Sequence, residues 1–474
     1  MSLLILAALF CGQTLVQKVM TGRAVTKSAA AIEIDRAELI LRLNDSLLAV
    51  SNTTFSHKSS FFEGAASKKL EHEALAILKE TIKETPDNPV ILAKAFIASQ
   101  YSGVNAGECL QRLKTLPTDK AHKLAGLLTT IYQGNPLSLP VAREAQQVLE
   151  TILPAGWYQD QAKIKLYSNV LDKHIYEELK HGLIVRELAF FTRLIFLVAF
   201  GTALIFVGTI VLIGQFLFLK RPTKADQEQI KAPADYGWFK VLAVFTAWLA
   251  TQLIVSLFAQ SMIKPLITQP PNMLLIASVT TCVYLISNGP TLLYIYFFAL
   301  KPSGLKFREA LKLKWGKGSA GLGALIGAGV LTWLAAIPMM LIVYYLANEY
   351  FGCRGSSNPI IAIVTEAARH ENWPAAILFY LTLGGLAPIC EETLFRGFLY
   401  TYLRRRFGVL PSACLSAALF SIAHLDPGAI APLFCLGCAF AFVLERTKSL
   451  VPAIVAHGLW NSCTFTLVLL LFGN

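Results

Sequence analysis

Two adjacent carboxylates, Glu391 and Glu392, follow the apolar run Leu383-Gly384-Gly385-Leu386-Ala387-Pro388-Ile389-Cys390 and precede Thr393-Leu394-Phe395-Arg396. An ionisable group inside a bilayer costs about 2.5 to 3.5 kcal/mol on insertion scales, so it marks either a function or a buried pair. On a helix, Glu392 and Arg396 stand four residues apart, the spacing at which a carboxylate meets a guanidinium, while Glu391 points about 100° away. The spacing predicts a structural ion pair between Glu392 and Arg396. It leaves Glu391 without a countercharge, as suits a general base. The plainer alternative is that both glutamates face a water-filled cavity and only hold the helix in register.

Two further apolar segments carry histidines: Phe420-Ser421-Ile422-Ala423-His424 ends one, and His457-Gly458-Leu459-Trp460-Asn461 lies within another. His457 and Asn461, at i and i+4, can aim an imidazole and an amide at one point, which suits polarising a carbonyl oxygen or holding a water or a metal. Each histidine taken singly reads more simply as an interhelical hydrogen-bonding residue, since polar side chains also join helices in lipid. Depth argues for convergence. At about 1.5 Å rise per residue, Glu391 lies about 20 Å from Arg404, His424 about 20 Å from Pro411 and Asn461 about 14 Å from Pro452. Breaks near Pro388 and Pro427 would close the difference.

The elements that must position these groups are membrane helices. Of 474 residues 55% are hydrophobic and only 15% charged, too apolar for an ordinary soluble chain of this size. Apolar runs extend over Ala189–Leu219, Val241–Met262, Met273–Leu300, Gly321–Leu346, Pro374–Leu403, Pro411–His424, Ile430–Leu444 and Val451–Phe472. A span needs about 20 apolar residues. Most runs meet that length, and the sixth and seventh are short. The expected fold is therefore all-α, a polytopic bundle of about eight transmembrane helices spanning 188–474.

Residues 24–187 read as a soluble helical region, with Leu75, Leu78 and Ile82 on one face of a helix ending before the breaker Pro86-Asp87-Asn88-Pro89. Short helices joined by turns give it a faint likeness to tetratricopeptide repeats, and a generic helical bundle explains the spacing equally well. Residues 1–23 contain the short apolar run Leu3–Phe10, a candidate signal or anchor.

The net charge of +12 does not indicate nucleic acid, because the basic residues cluster in short loops beside the apolar runs. Alternate loops carry sixteen Lys and Arg residues against three in the loops between them. By the positive-inside rule, that parity puts 24–187 on the extracytoplasmic face of a cell membrane. Cys435 and Cys438 have C-x-x-C spacing but sit inside an apolar helix, where they read as packing residues.

The motifs E-E-x-x-x-R, F-x-x-x-H and H-x-x-x-N, in this order on separate apolar helices, resemble those of the CPBP family of CAAX-prenyl-protease-like intramembrane proteases. The resemblance covers about residues 241–470 and includes the Arg396-Gly397 step and the string His457-Gly458-Leu459-Trp460-Asn461. It implies that Glu391 activates a water for attack on a peptide carbonyl and that His424 assists. His457 and Asn461 would stabilise the oxyanion or orient that water, with Arg396 organising Glu392 and Phe420 completing the second motif. Family members have been described both as metal-dependent and as glutamate proteases. No cofactor is demanded here, and a Zn2+ set of Glu391, His424 and His457 stays open, with no H-E-x-x-H helix to favour it. The implied partners are membrane lipid and a peptide or protein substrate. Two other classes compete: a non-catalytic membrane binding or immunity protein that docks a partner on the same bundle, and a proton-relaying transporter, which should show related halves that are not seen.

Overall fold

A computed structural model describes residues 30, 33–51, 66–171, 173–217, 236–263, 272–313, 318–351, 359–369 and 371–473. Among them the chain is helical, and the one β feature is an isolated bridge between Leu137 and Val170. The proposed signal or anchor at 1–23 lies outside the described residues. The chain divides into two compact units, one of residues 23–198, 359–371 and 469–474, the other of residues 1–22, 199–358 and 372–468.

The first unit begins with helix α1 (33–51) and continues through α2 (Ser67–Glu84), α3 (Pro89–Tyr101), α4 (Gly107–Thr115), α5 (Asp119–Tyr132), α6 (Leu139–Ile152) and α7 (Trp157–Ser168). The Pro-Asp-Asn-Pro breaker works through its chemistry. Asn88 caps α3 by accepting from the backbone N–H of Val90 at 3.1 Å and Ile91 at 3.3 Å, and Pro89 fills a first-turn position that needs no donor. Leu78 of α2 is buried in the core with Leu92, Phe96, Leu128 and Trp157, and Leu75 and Ile82 pack on it, as their common face requires.

Arg369 ends α12 (Pro359–Arg369) in this unit, where it grips both oxygens of Glu38 at 2.9 Å and Asp35 at 2.9 Å. Burial pushes the Glu38 carboxyl up, but the charges of Arg369 and Lys94 outweigh it and hold the group at about 2. For Asp35 burial prevails, and its carboxyl is raised.

Among the described residues, seven helices are long and apolar enough to cross a membrane: α8 (His174–Leu217), α9 (Gly237–Ile263), α10 (Met273–Ser303), α11 (Gly318–Phe351), α13 (Trp373–Arg404), α15 (Ile430–Thr447) and α16 (Val451–Phe472). The shorter apolar helix α14 (Val409–Ala423) makes an eighth. Residues 23–198, 359–371 and 469–474 pack as one unit, and a unit lying on one side of a bilayer asks for an even number of crossings between its segments. Four helices, α8 to α11, lead from 198 to 359, and four more, α13 to α16, lead from 371 to 469. With all seven long helices crossing, the short α14 completes that parity by crossing as well.

In the second unit Tyr236, Phe245, Trp248, Phe395, Phe398, Tyr402 and Phe420 form one buried aromatic cluster. Arg404 is not a solvated loop charge, as its place in the sequence suggested, but a buried partner of Glu445 at 3.2 Å. Tyr400 donates to the same carboxylate at 2.7 Å.

Candidate active site

Helix α13 carries the two glutamates in a single regular turn, Ala387–Glu392, between two π-helical stretches, Tyr380–Leu386 and Thr393–Tyr400. Such widened turns leave backbone carbonyls without helical donors, and in lipid each must find one. Ser416 donates to the carbonyl of Phe395 at 2.8 Å, Thr401 to that of Arg396 at 3.2 Å, and Tyr236 to that of Phe398 at 2.7 Å.

Leu383 is the most exacting case. The N–H of Ala387, one α-turn ahead, is given to the Thr382 carbonyl, and the next residue, Pro388, has no N–H. Asn461 Nδ2 supplies the missing donor at 2.9 Å. The amide expected from sequence to face the reaction is thus engaged with the backbone of the helix that bears the glutamates.

The carboxylates divide as their spacing predicted. Glu392 is fully buried, with Oε1 at 3.0 Å from an Arg396 guanidinium nitrogen and at 2.9 Å from His457 Nδ1. The Arg396 guanidinium lies over the Phe420 ring at 4.2 Å and near that of Phe440 at 5.4 Å. Gly437 makes room for it, since a Cβ there would stand 2.8 Å from Nη2.

Glu391 is different: its side chain is 20% exposed, and its neighbours are a phenol and two imidazoles. Oε1 accepts from Tyr284 of α10 at 3.2 Å, while Oε2 lies 3.8 Å from Nε2 of both His424 and His457. The structure therefore brings together Glu391, Glu392, Arg396, His424, His457 and Phe420.

The histidine tautomers follow from their other contacts. His424 Nδ1 is 2.8 Å from the Phe420 carbonyl, which can only accept, and His457 Nδ1 faces a carboxylate oxygen. Both Nδ1 atoms then carry protons, and neutral rings present Nε2 lone pairs toward Glu391. Aromatic packing fixes the rings: Phe440 stacks on His457 with centroids 5.2 Å apart, and Phe420 meets His424 edge-on at 4.7 Å.

Two glycines bring α13 and α16 close enough for these contacts. A Cβ on Gly458 would stand 2.6 Å from the Gly384 carbonyl oxygen, and one on Gly384 would collide with the Ser462 hydroxyl.

Among the described residues, no group of three or more His, Cys, Asp or Glu side chains is arranged to hold a metal ion. The two separations of 3.8 Å exceed the distance of about 3.3 Å between neighbouring donors bound tetrahedrally to zinc at about 2.0 Å. As placed, Glu391, His424 and His457 do not fit a zinc ion.

Tyr284 is the site residue that sequence reasoning missed. A lone tyrosine in an apolar helix is unremarked by spacing. Its one signal is the polar face Thr281, Tyr284 and Asn288, at i, i+3 and i+7 within a span.

Residues 373–463 match the family model of the Rce1-like type II CAAX prenyl endopeptidases, which supports the CAAX protease family for the segment that carries the site. The match includes all of the motif residues from Glu391 to Asn461 and indicates a protease, in a chain whose apolar helices suggest a multi-pass membrane protein. No match was found among curated proteins or among solved structures.

Proposed function

We propose that the chain is an intramembrane endopeptidase in which Glu391 activates a water for attack on a peptide bond of a membrane-associated or prenylated substrate. The observation that most supports this is the convergence of Glu391 Oε2 with two imidazole nitrogens, 3.8 Å away in each case, beside a fully buried Glu392–Arg396 pair. A water about 2.8 Å from Glu391 Oε2 and from one imidazole Nε2 fits a separation of 3.8 Å and gives one proton to each acceptor. Glu391 Oε2 takes one proton as the oxygen attacks the carbonyl carbon, and the same proton then goes to the leaving amine nitrogen. His424, 28% exposed, is the imidazole better reached by substrate and assists that transfer. Glu392 and Arg396 act through His457, holding its ring and tautomer, and Asn461 acts through Leu383.

The family's name supplies the substrate class, a prenylated C-terminal sequence cut at an internal peptide bond. The loop charges favour a cytoplasmic face for the loops after α8, α10, α13 and α15, which puts the helical region 24–187 outside the cell membrane.

The deciding experiment incorporates purified full-length protein in liposomes with a fluorogenic farnesylated peptide, comparing wild type with Glu391→Gln. Cleavage lost in a folded variant is the expected result. Equal behaviour of the two folded proteins would overturn the reading in favour of a bundle that docks a partner.

A further inference from the structure

We infer that Tyr284 is a positioning residue for Glu391, its hydroxyl fixing one carboxylate oxygen so that the other faces the two imidazoles. The inference rests on Glu391 being the base, as proposed above, and adds a residue from outside the matched segment 373–463.

Carboxyl torsions are broad and roughly two-fold, so an untethered glutamate head turns easily. In Glu391 the two oxygens are not equivalent: Oε1 accepts from Tyr284 at 3.2 Å, and Oε2 is the atom 3.8 Å from both Nε2 atoms. Among the described residues no Arg or Lys is hydrogen-bonded to Glu391 to set its orientation, unlike Glu392, which Arg396 and His457 both hold. The phenol takes that part.

Tyr284 is itself held. Asn288 Nδ2 donates to the Tyr284 carbonyl at 3.3 Å, and Asn288 Oδ1 accepts from Gln252 at 2.8 Å and from Trp248 at 3.3 Å. Trp248 packs edge-on against Phe395, centroids 5.9 Å apart, on the helix that bears Glu391. A second tie joins the hydroxyls of Thr281 and Thr382 at 2.8 Å. Helices α9 and α10 thus form a polar brace that delivers one O–H to one oxygen.

Misplacing a reacting group by about 1 Å can cost a hundredfold in rate. The test is Tyr284→Phe, which keeps the ring and its packing and removes only the donor, in full-length protein in liposomes with the farnesylated peptide as probe. The expected result is a kcat lower by about tenfold to a hundredfold with KM changed by less than about twofold. An independent readout is the infrared carboxylate band of Glu391, identified as the band absent from Glu391→Gln, which should move when its hydrogen bond is removed.

A kcat equal to wild type, or an unmoved band, would overturn the inference, because either result separates the hydroxyl from the work of Glu391. If Glu391→Gln cleaves as well as wild type, the peptidase reading itself fails. The band still decides whether Tyr284 holds that carboxylate.

Discussion

His457 Nδ1 lies 2.9 Å from Oε1 of the fully buried Glu392, the same oxygen that receives Arg396 at 3.0 Å. One carboxylate therefore neutralises a guanidinium and fixes an imidazole, and the proposed mechanism leaves the glutamate beside it to act as the base. Breaking a buried pair by removing one partner costs about 3 to 5 kcal/mol, because an uncompensated charge stays behind. Glu392→Gln should therefore unfold in denaturant with that much less stability, whereas Glu391→Gln should unfold like wild type. Cleavage should be lost in both, by about a hundredfold or more for Glu391→Gln, as removal of a general base predicts. Denaturant unfolding of each variant in detergent, paired with its cleavage rate, separates the two roles.

Chelation addresses the metal question directly. With Glu391 Oε2 and both Nε2 atoms spaced too widely for zinc, cleavage of the farnesylated peptide is expected to survive a strong chelator. Loss of activity that added zinc restores would show that the three side chains close around an ion.

Asn461 is expected to matter through the backbone of Leu383. Asn461→Ala leaves a carbonyl without a donor in an apolar setting, a cost of about 1 to 3 kcal/mol. Pro388→Ala returns an N–H one wide turn beyond Leu383, so the double variant should recover part of the stability lost by Asn461→Ala. Thermal unfolding of the four proteins in a double-mutant cycle measures the coupling, and strict additivity would mean that Asn461 acts elsewhere.

Gly458→Ala tests the closeness of the helices. Its Cβ would stand 2.6 Å from the Gly384 carbonyl oxygen, a backbone atom that cannot swing away. Overpacking of this kind costs about 1 to 3 kcal/mol, and separating α13 from α16 also separates Glu391 from His457. The variant should stay folded at reduced stability with kcat lowered at least about tenfold. An undiminished kcat would mean that the site does not depend on this crossing.

The pair of Glu38 and Arg369 predicts a pH response in the first unit. The Glu38 carboxyl is held at about 2 against an ordinary 4.5, so the unfolded chain binds its proton more readily than the folded one. Its contribution to stability is complete above about pH 4.5 and is lost as the pH falls toward about 2. Asp35, with its carboxyl raised, works in the opposite sense, favouring the folded unit at low pH and less so as pH rises through its folded value. The protection of helix 33–51 against amide hydrogen exchange, taken relative to the intrinsic rate at each pH, should therefore fall in wild type as the pH drops from about 4.5 toward about 2. In Glu38→Gln it should be lower at neutral pH and lose most of that dependence.

The contrast between Glu391 and Tyr284 shows how much was legible in one dimension. The Glu392–Arg396 pair, the leftover Glu391 and the buried polar groups on three apolar helices follow from a helical period of 3.6 residues and the cost of charge in lipid, both local properties of the sequence. So do the eight apolar segments, and the break at Pro86-Asp87-Asn88-Pro89 was legible from its residue types. The residues that complete the site depend instead on contacts between helices far apart in the chain. Tyr284 becomes part of it only because α10 crosses α13 beside Glu391. Asn461 turns to Leu383 only because the widened turn and Pro388 leave that carbonyl without a donor. Composition could mark α14 only as a short apolar helix, whereas the packing of 359–371 and 469–474 with 23–198 adds a parity of crossings that α14 would complete. Residue types and spacing determined which groups could do chemistry, because those depend on side chains and on one helix at a time. The tertiary structure decided which atoms face one another, because that depends on where helices cross and which backbone groups the crossings leave to be satisfied.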